Sequence, residues 1–231
     1  MIWAIGDLHF DSTNEKSMDI FGENWESHDK KIVENWIENV QEDDLVLLPG
    51  DISWALKLNE AIPDLERIDK LPGDKIILKG NHDYWWGSLN KLNALGMQSI
   101  DYLFNNSFIY KKYAIVGTRG WLPNDAENFT EKDEKILRRE VIRLENSIKS
   151  IHGEHDEIIA ILHFPPFNSD GTTNEFVDVM KNYGVKTCIY AHLHAEGHNF
   201  IQEGNIDGID FHCVSSDYLN FELKQITVNG E

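Results

Sequence analysis

Five short segments of this chain place metal-binding side chains directly behind apolar runs. They are Gly6-Asp7-Leu8-His9, Gly50-Asp51, Gly80-Asn81-His82-Asp83, Leu162-His163 and Ala191-His192-Leu193-His194. All the donors are oxygen or imidazole nitrogen. Without a thiolate the set suits Mn, Fe, Zn, Ni or Co better than a soft metal, and it matches an all-oxygen calcium or magnesium cage poorly. In extended backbone residues i and i+2 face the same way, so Asp7 with His9 and His192 with His194 form two same-facing pairs. A lone Asp-x-His triplet arises often by chance, and a lone His after a strand is more often a hydrogen-bonded structural residue. Five such segments in one chain are a different matter.

Residues so far apart in sequence share a centre only if the fold gathers them. Apolar periodicity predicts an α/β rhythm: strand 2–5, helix 28–40 with Ile32, Val33, Trp36, Ile37 and Val40 on one face, strand 45–48, helix 58–68, strand 75–78, helix 88–95 and a strand pair at 108–110 and 113–116. The clearest helix is 130–151, where Thr130 and Asp133 fit a capping box and Leu137, Val141, Leu144, Ile148 and Ile151 repeat at spacings of four and three. Its charged faces read as a solvated surface. Strand 158–162, helix 175–183 and strand 187–190 follow, then alternating segments around Phe200, 209–214 and 221–228 that read as antiparallel strands. No linker or repeat interrupts the pattern, so one domain over 1–231 is expected.

In open α/β sheets the ligand crevice lies beyond the carboxyl ends of the strands, where all five segments fall. Glycines at 6, 50 and 80 let the backbone turn sharply as it leaves the sheet.

Taken in order, Asp-x-His, Gly-Asp, Gly-Asn-His-Asp, His and His-x-His, these segments resemble the calcineurin-like metallophosphoesterase family, in the form of a bacterial-type phosphohydrolase. The resemblance runs from Asp7 to His194. It implies a four-layer α/β/β/α sandwich of two mixed β-sheets flanked by helices. It also implies that Asp7, His9 and His194 hold one divalent metal ion, that Asn81, His163 and His192 hold a second, and that Asp51 bridges them. His82 matches the family's catalytic histidine, with Asp83 as its orienting partner. Ala191 stands where relatives commonly carry Gly, a small residue that keeps close packing. Gly50-Asp51 continues as Ile-Ser-Trp rather than Asp-Arg-Gly, and the third segment ends in Asp83 rather than Glu, which argues against a Ser/Thr protein phosphatase. His82 in place of Arg argues against a lipid A precursor pyrophosphatase.

Forty acidic residues against 21 basic ones give a formal charge of −19. That charge opposes the counterion release that drives binding to nucleic-acid phosphates, so general nucleic-acid binding is disfavoured. It also repels a small anionic substrate, so a phosphate-handling site here needs concentrated positive charge, which bound cations supply. Cys188 and Cys213, one in an apolar run and one in an alternating run, read as reduced thiols of a cytoplasmic protein. Neither an export signal nor an apolar run approaching the roughly 20 residues that span a bilayer is visible, so no membrane role is expected.

The expected activity is hydrolysis of a small-molecule phosphomonoester or phosphodiester, with two cations (manganese or a similar ion) presenting a hydroxide for in-line attack. His82 would donate a proton to the leaving alkoxide. Rival readings are a nuclease acting on single strands or ends, and a metal-containing scaffold without catalysis. Asn81 and His82 would also touch substrate. Arg119, in Gly117-Thr-Arg-Gly-Trp121 at the end of a strand, is expected either to grip substrate phosphate or to pair on the surface with an acidic residue. Trp54, Trp85, Trp86 and Trp121 could floor a pocket or simply pack. His28, His152, His155, His198 and His212 read as surface or loop residues, with His198 near enough to the last segment to line the site.

Overall fold

A computed structural model describes residues 1–13, 18 and 22–227. Val228, the expected end of the last alternating segment, lies outside the described residues. Two sheets pack face to face. The first contains β1 (Ile2–Ala4), β2 (Leu45–Leu48), β3 (Asp74–Leu78), β4 (Ile100–Leu103) and β11 (Lys224–Gln225), in the order β11-β1-β2-β3-β4. β1 to β4 run parallel and β11 pairs antiparallel with β1. The second contains β5 (Phe108–Tyr110), β6 (Tyr113–Thr118), β7 (Glu157–Leu162), β8 (Thr187–Tyr190), β9 (Gly204–Ile206) and β10 (Ile209–Cys213), in the order β5-β6-β7-β8-β10-β9.

Strands whose residues are apolar on both faces must be covered on both sides. Between the sheets, Ile2, Leu45, Leu47 and Ile76 meet Ile115, Ile159, Ile161 and Ile189 in one core. Outside the first sheet, helices α1 (His28–Asn39), α2 (Leu58–Asp69) and α3 (Leu89–Asn93) cover Trp3, Val46, Leu48 and Ile77. Outside the second, α4 (Glu131–Lys149) and α5 (Glu175–Asn182) cover Val116, Ala160, Leu162, Cys188 and Phe211. The result is the expected four-layer sandwich. Truncating a buried anchor such as Trp36, fully enclosed under α1, would cost about 3–5 kcal/mol.

The α4 capping box forms as read: the Asp133 amide donates to Thr130 Oγ1 at 3.4 Å and the Thr130 amide to Asp133 Oδ2 at 3.0 Å.

Several expectations are corrected. β4 was not foreseen, because Asp101 breaks its short apolar run. Ile37 is 58% exposed, since α1 turns its face through Ile32, Trp36 and Val40 and leaves Ile37 outside. Phe200 ends a 3-10 segment, Ala195–Phe200, rather than lying in a strand. β10 pairs antiparallel with β9 but parallel with β8, because the chain crosses over between β8 and β10. On α4, Glu140 and Ser147 are buried polar residues on a helix whose charges all read as solvated.

Candidate metal centre

The parallel strands β1, β2, β3, β7 and β8 deliver all five segments to one rim of the sandwich. Their loops are fastened by backbone hydrogen bonds: Asp7 N–H to Gly50 O at 3.0 Å, His9 N–H to Asp51 O at 2.9 Å and Ala191 N–H to His163 O at 3.2 Å. Asp7, His9, Asp51 and His192 sit at φ of 56°, 45°, 53° and 75°. The left-handed region is costly for side-chain-bearing residues, and such outliers gather at functional sites. Gly50 and Gly80 allow the second and third loops to touch: a Cβ on Gly50 would lie 2.6 Å from the Gly80 backbone, and one on Gly80 would lie 2.3 Å from Asp51 N. Ala191 is fully buried against Gly6, where an added Cβ would come within 2.5 Å of the alanine methyl.

The expected ligands do converge. Asp7, His9 and His194 each offer one donor atom, all within 4.8 Å of one another, and so do Asp7, Asp51 and His163. Asp51 Oδ2 stands 3.7 Å from His9 Nε2 and 3.5 Å from His163 Nε2, between the two halves of the set. His163 Nδ1 lies 2.9 Å from Pro49 O, which as a pure acceptor takes the ring's proton. That leaves the Nε2 lone pair facing Asn81 Oδ1 at 2.6 Å and His192 Nδ1 at 3.2 Å. A cation placed there would take up lone pairs from Asn81 and His163 together.

Asp7 Oδ1, His9 Nδ1 and His194 Nε2 are buried without a hydrogen-bond partner. Native structures rarely leave such atoms unpaired. Burial pulls His163 down to about 4; burial and the neighbouring His163 bring His192 to about 3, and burial carries His9 well below its usual value. All three are therefore neutral near pH 7, the form that ligates a metal. Burial and the neighbouring carboxylates Asp83 and Asp7 push Asp51 well above the usual range. Burial would do the same to Asp7, but His194, His163 and His9 together lower it. A buried group of carboxylates and lone-pair nitrogens is chemically suited to divalent cations.

Above these residues lies a cavity of about 150 Å³ lined by His9, Trp25, Asp51, Trp54, His82, His192 and His194 among others. Trp54 stacks on His9 with centroids 4.6 Å apart and lies 4.7 Å from the His82 ring. Of the four tryptophans singled out, Trp54 lines this cavity, and Trp25, not singled out, joins it. Trp85 is buried in the core beneath.

Asp83 does different work from that expected. Its carboxylate accepts from the backbone N–H of Gly80 (2.7 Å), Asp51 (2.9 Å) and Ile52 (2.9 Å) and from Trp85 Nε1 (3.0 Å). It ties the second and third loops together instead of orienting the His82 ring. The His82 amide in turn donates to Asp51 Oδ1 at 2.8 Å.

Arg119 is also placed differently. Its carbonyl braces the fourth loop, accepting from His163 N and Phe164 N at 3.1 and 2.9 Å. Its guanidinium turns away to Glu140 Oε1 at 3.3 Å and stacks on Trp121, in a separate cavity that shares no lining residue with the metal cavity.

Asp217 escaped the sequence reading. Its side chain is 2% exposed, hydrogen-bonds His194 Nδ1 at 2.7 Å and lies 3.2 Å from His198 Nε2. Burial opposes charge on His194, but Asp7 and the bond with Asp217 outweigh it and lift the imidazole to about 10. His198 thus lies behind His194 rather than in the cavity wall. His28 is buried, not a surface residue, with Nε2 3.0 Å from Leu8 O beneath the first loop.

A model of the calcineurin-like phosphoesterase family matches residues 1–196. The chain belongs to that family. Membership makes it, in general terms, a metal-dependent phosphoesterase. Similar solved structures share the fold. The protein of unknown function AQ665 from Aquifex aeolicus is 16% identical over 96% of this chain and 94% of its own, with a TM-score of 0.51. TT1561 of Thermus thermophilus is 12% identical over 96% of each chain, at 0.51. GAP50, the anchor in the inner membrane complex of Plasmodium, is 15% identical over 93% of this chain and 71% of its own, at 0.52. No curated protein matches the chain.

Proposed function

We propose that this protein hydrolyses small-molecule phosphoesters at a dinuclear centre held by Asp7, His9, Asp51, Asn81, His163, His192 and His194. The observation that carries the reading is the position of Asp51 Oδ2, with His9 Nε2 3.7 Å and His163 Nε2 3.5 Å away from it. A carboxylate oxygen so placed would be within reach of both groups of donors, so Asp51 would hold the two ions together with the residues on either side. When bound, manganese or a similar divalent ion supplies Lewis-acid polarisation of the phosphoryl group and a nucleophilic water at neutral pH.

The protein's own residues do the rest. Asp7 and Asp51 carry the negative charge that retains the cations, while neutral Asn81 leaves positive charge available to substrate. His82, on the cavity wall, donates a proton to the departing alkoxide, a contribution of typically 10²–10⁴ in rate. Trp25 and Trp54 exclude water from one side and leave a space fitted to a small ester.

The test is a panel of chromogenic monoesters and diesters assayed after chelation and after adding back Mn, Ni, Co, Zn or Fe. Activity should vanish on stripping and return with a divalent ion, and the panel fixes monoester or diester preference. Full turnover by metal-free protein would overturn the reading.

A further inference from the structure

The cavity that receives Arg119 has a chemistry of its own. It occupies about 280 Å³ between the ends of β3, β4 and β6 and the side of α4. Lys79, Arg119, Arg139 and Arg143 line it, with Glu140 as the single carboxylate in its wall. Four cations around one anion are unexpected in a chain of net charge −19.

Glu140 does not balance them. It is 1% exposed and accepts from Arg143 Nη1 at 2.6 Å, Thr118 Oγ1 at 2.7 Å and Arg119 Nη2 at 3.3 Å, which engages both of its oxygens. Its single charge offsets one guanidinium. Among the described residues, neither Lys79 nor Arg139 makes an ion pair, and Arg119 Nε is buried without a partner. The arginines are also held in place: Arg143 lies over the Phe104 ring at 4.6 Å and Arg119 over Trp121 at 4.4 Å. Guanidinium forks fixed by stacking are suited to the paired oxygens of phosphate. Trp86 and Phe104 supply an apolar wall beside them.

We propose that this cavity binds a phosphate-class anion, at a site separate from the metal centre. The inference goes beyond the phosphoesterase reading and stands without it, since binding here needs neither metal nor turnover. The anion has two sources: a second charged group on a substrate held at the metal centre, or a free anionic effector.

Isothermal titration of the metal-loaded chain with inorganic phosphate, and then pyrophosphate, tests the site. Two classes of site are expected, of which chelation removes one. Lys79→Gln and Arg139→Gln, singly and together, should weaken the chelator-resistant class by roughly tenfold or more while melting temperature stays near the parent's. Lys79 and Arg139 are chosen because neither braces Glu140, so the fold is kept. Absence of a chelator-resistant class, or unchanged affinity in all three variants, overturns the proposal. The source follows from kinetics: a loss of kcat/KM on a sugar bisphosphate but not on p-nitrophenyl phosphate assigns the anion to substrate. A response of p-nitrophenyl phosphate turnover to added sulfate that the variants lose assigns it to an effector.

Discussion

Asp217 grips His194 from behind, its Oδ1 standing 2.7 Å from the ring's Nδ1 and fixing which nitrogen faces Asp7. Outer carboxylates of this kind orient a ligand imidazole and raise its basicity, and their loss typically costs 10–100-fold in metal affinity. Asp217→Ala should therefore weaken metal binding by about that factor, read by competition with a coloured chelator. His198→Ala should matter far less, because His198 shares Asp217 but touches no candidate ligand. Equal affinity in parent and Asp217→Ala would leave the contact as packing.

Removing charge from a shared oxygen should harm both ions together. Asp51→Asn is expected to lower metal content and turnover more than replacing any ligand that serves one ion, such as His9→Ala. Elemental analysis of the purified variants decides it, and unchanged stoichiometry in Asp51→Asn would rule out bridging.

His82→Ala should keep its metals and lose turnover. The deficit should approach 10²–10⁴ for alkyl phosphates, which need a proton on departure, and shrink for p-nitrophenyl phosphate, which does not. A uniform loss across leaving groups would mean that His82 positions the phosphoryl group instead.

Lys75 gives a prediction about stability and pH. Fully buried on β3, it donates from Nζ to Leu71 O and to Ser99 Oγ, and burial brings its pKa from 10.5 down to about 8. Between those two values the unfolded chain holds a proton that the folded one has released. Stability therefore rises with pH over that window, and the burial penalty is in full force below about 8. The melting temperature of the parent relative to Lys75→Met should increase between pH 8 and pH 10. A difference independent of pH would show that the amine keeps its proton in the fold.

The sequence exposed the candidate ligands because each is contiguous with the strand that delivers it, so Asp7, Asp51 and His163 announce themselves by following Ile5, Leu48 and Leu162. Four-layer architecture was legible through the resemblance, and most element positions through periodicity. What stayed hidden depends on contacts between distant segments. Asp217 lies 23 residues beyond His194 in a turn, Ser215-Ser216-Asp217, with no motif; only its position after an apolar strand, shared with the five recognised segments, hinted at it. The role of Asp83 was misread because adjacency to His82 says nothing about which way a buried carboxylate points. Arg119 was placed at the correct strand end, but the direction of its side chain is set by Glu140 on α4, a buried acid that the helix pattern disguised as a surface one.

The loops that carry the candidate ligands are joined by main-chain bonds, by the Asp83 carboxylate and by the close approach of Gly50 to Gly80. None of these fasteners uses the donor atoms turned toward the centre. The fastening of the loops therefore does not depend on an ion, unlike a zinc finger, whose folding waits on its metal. An ion held at such a centre would be exchangeable in the finished chain, so the occupant of a purified sample would record the ions on offer where the protein was made as much as any preference built into the protein.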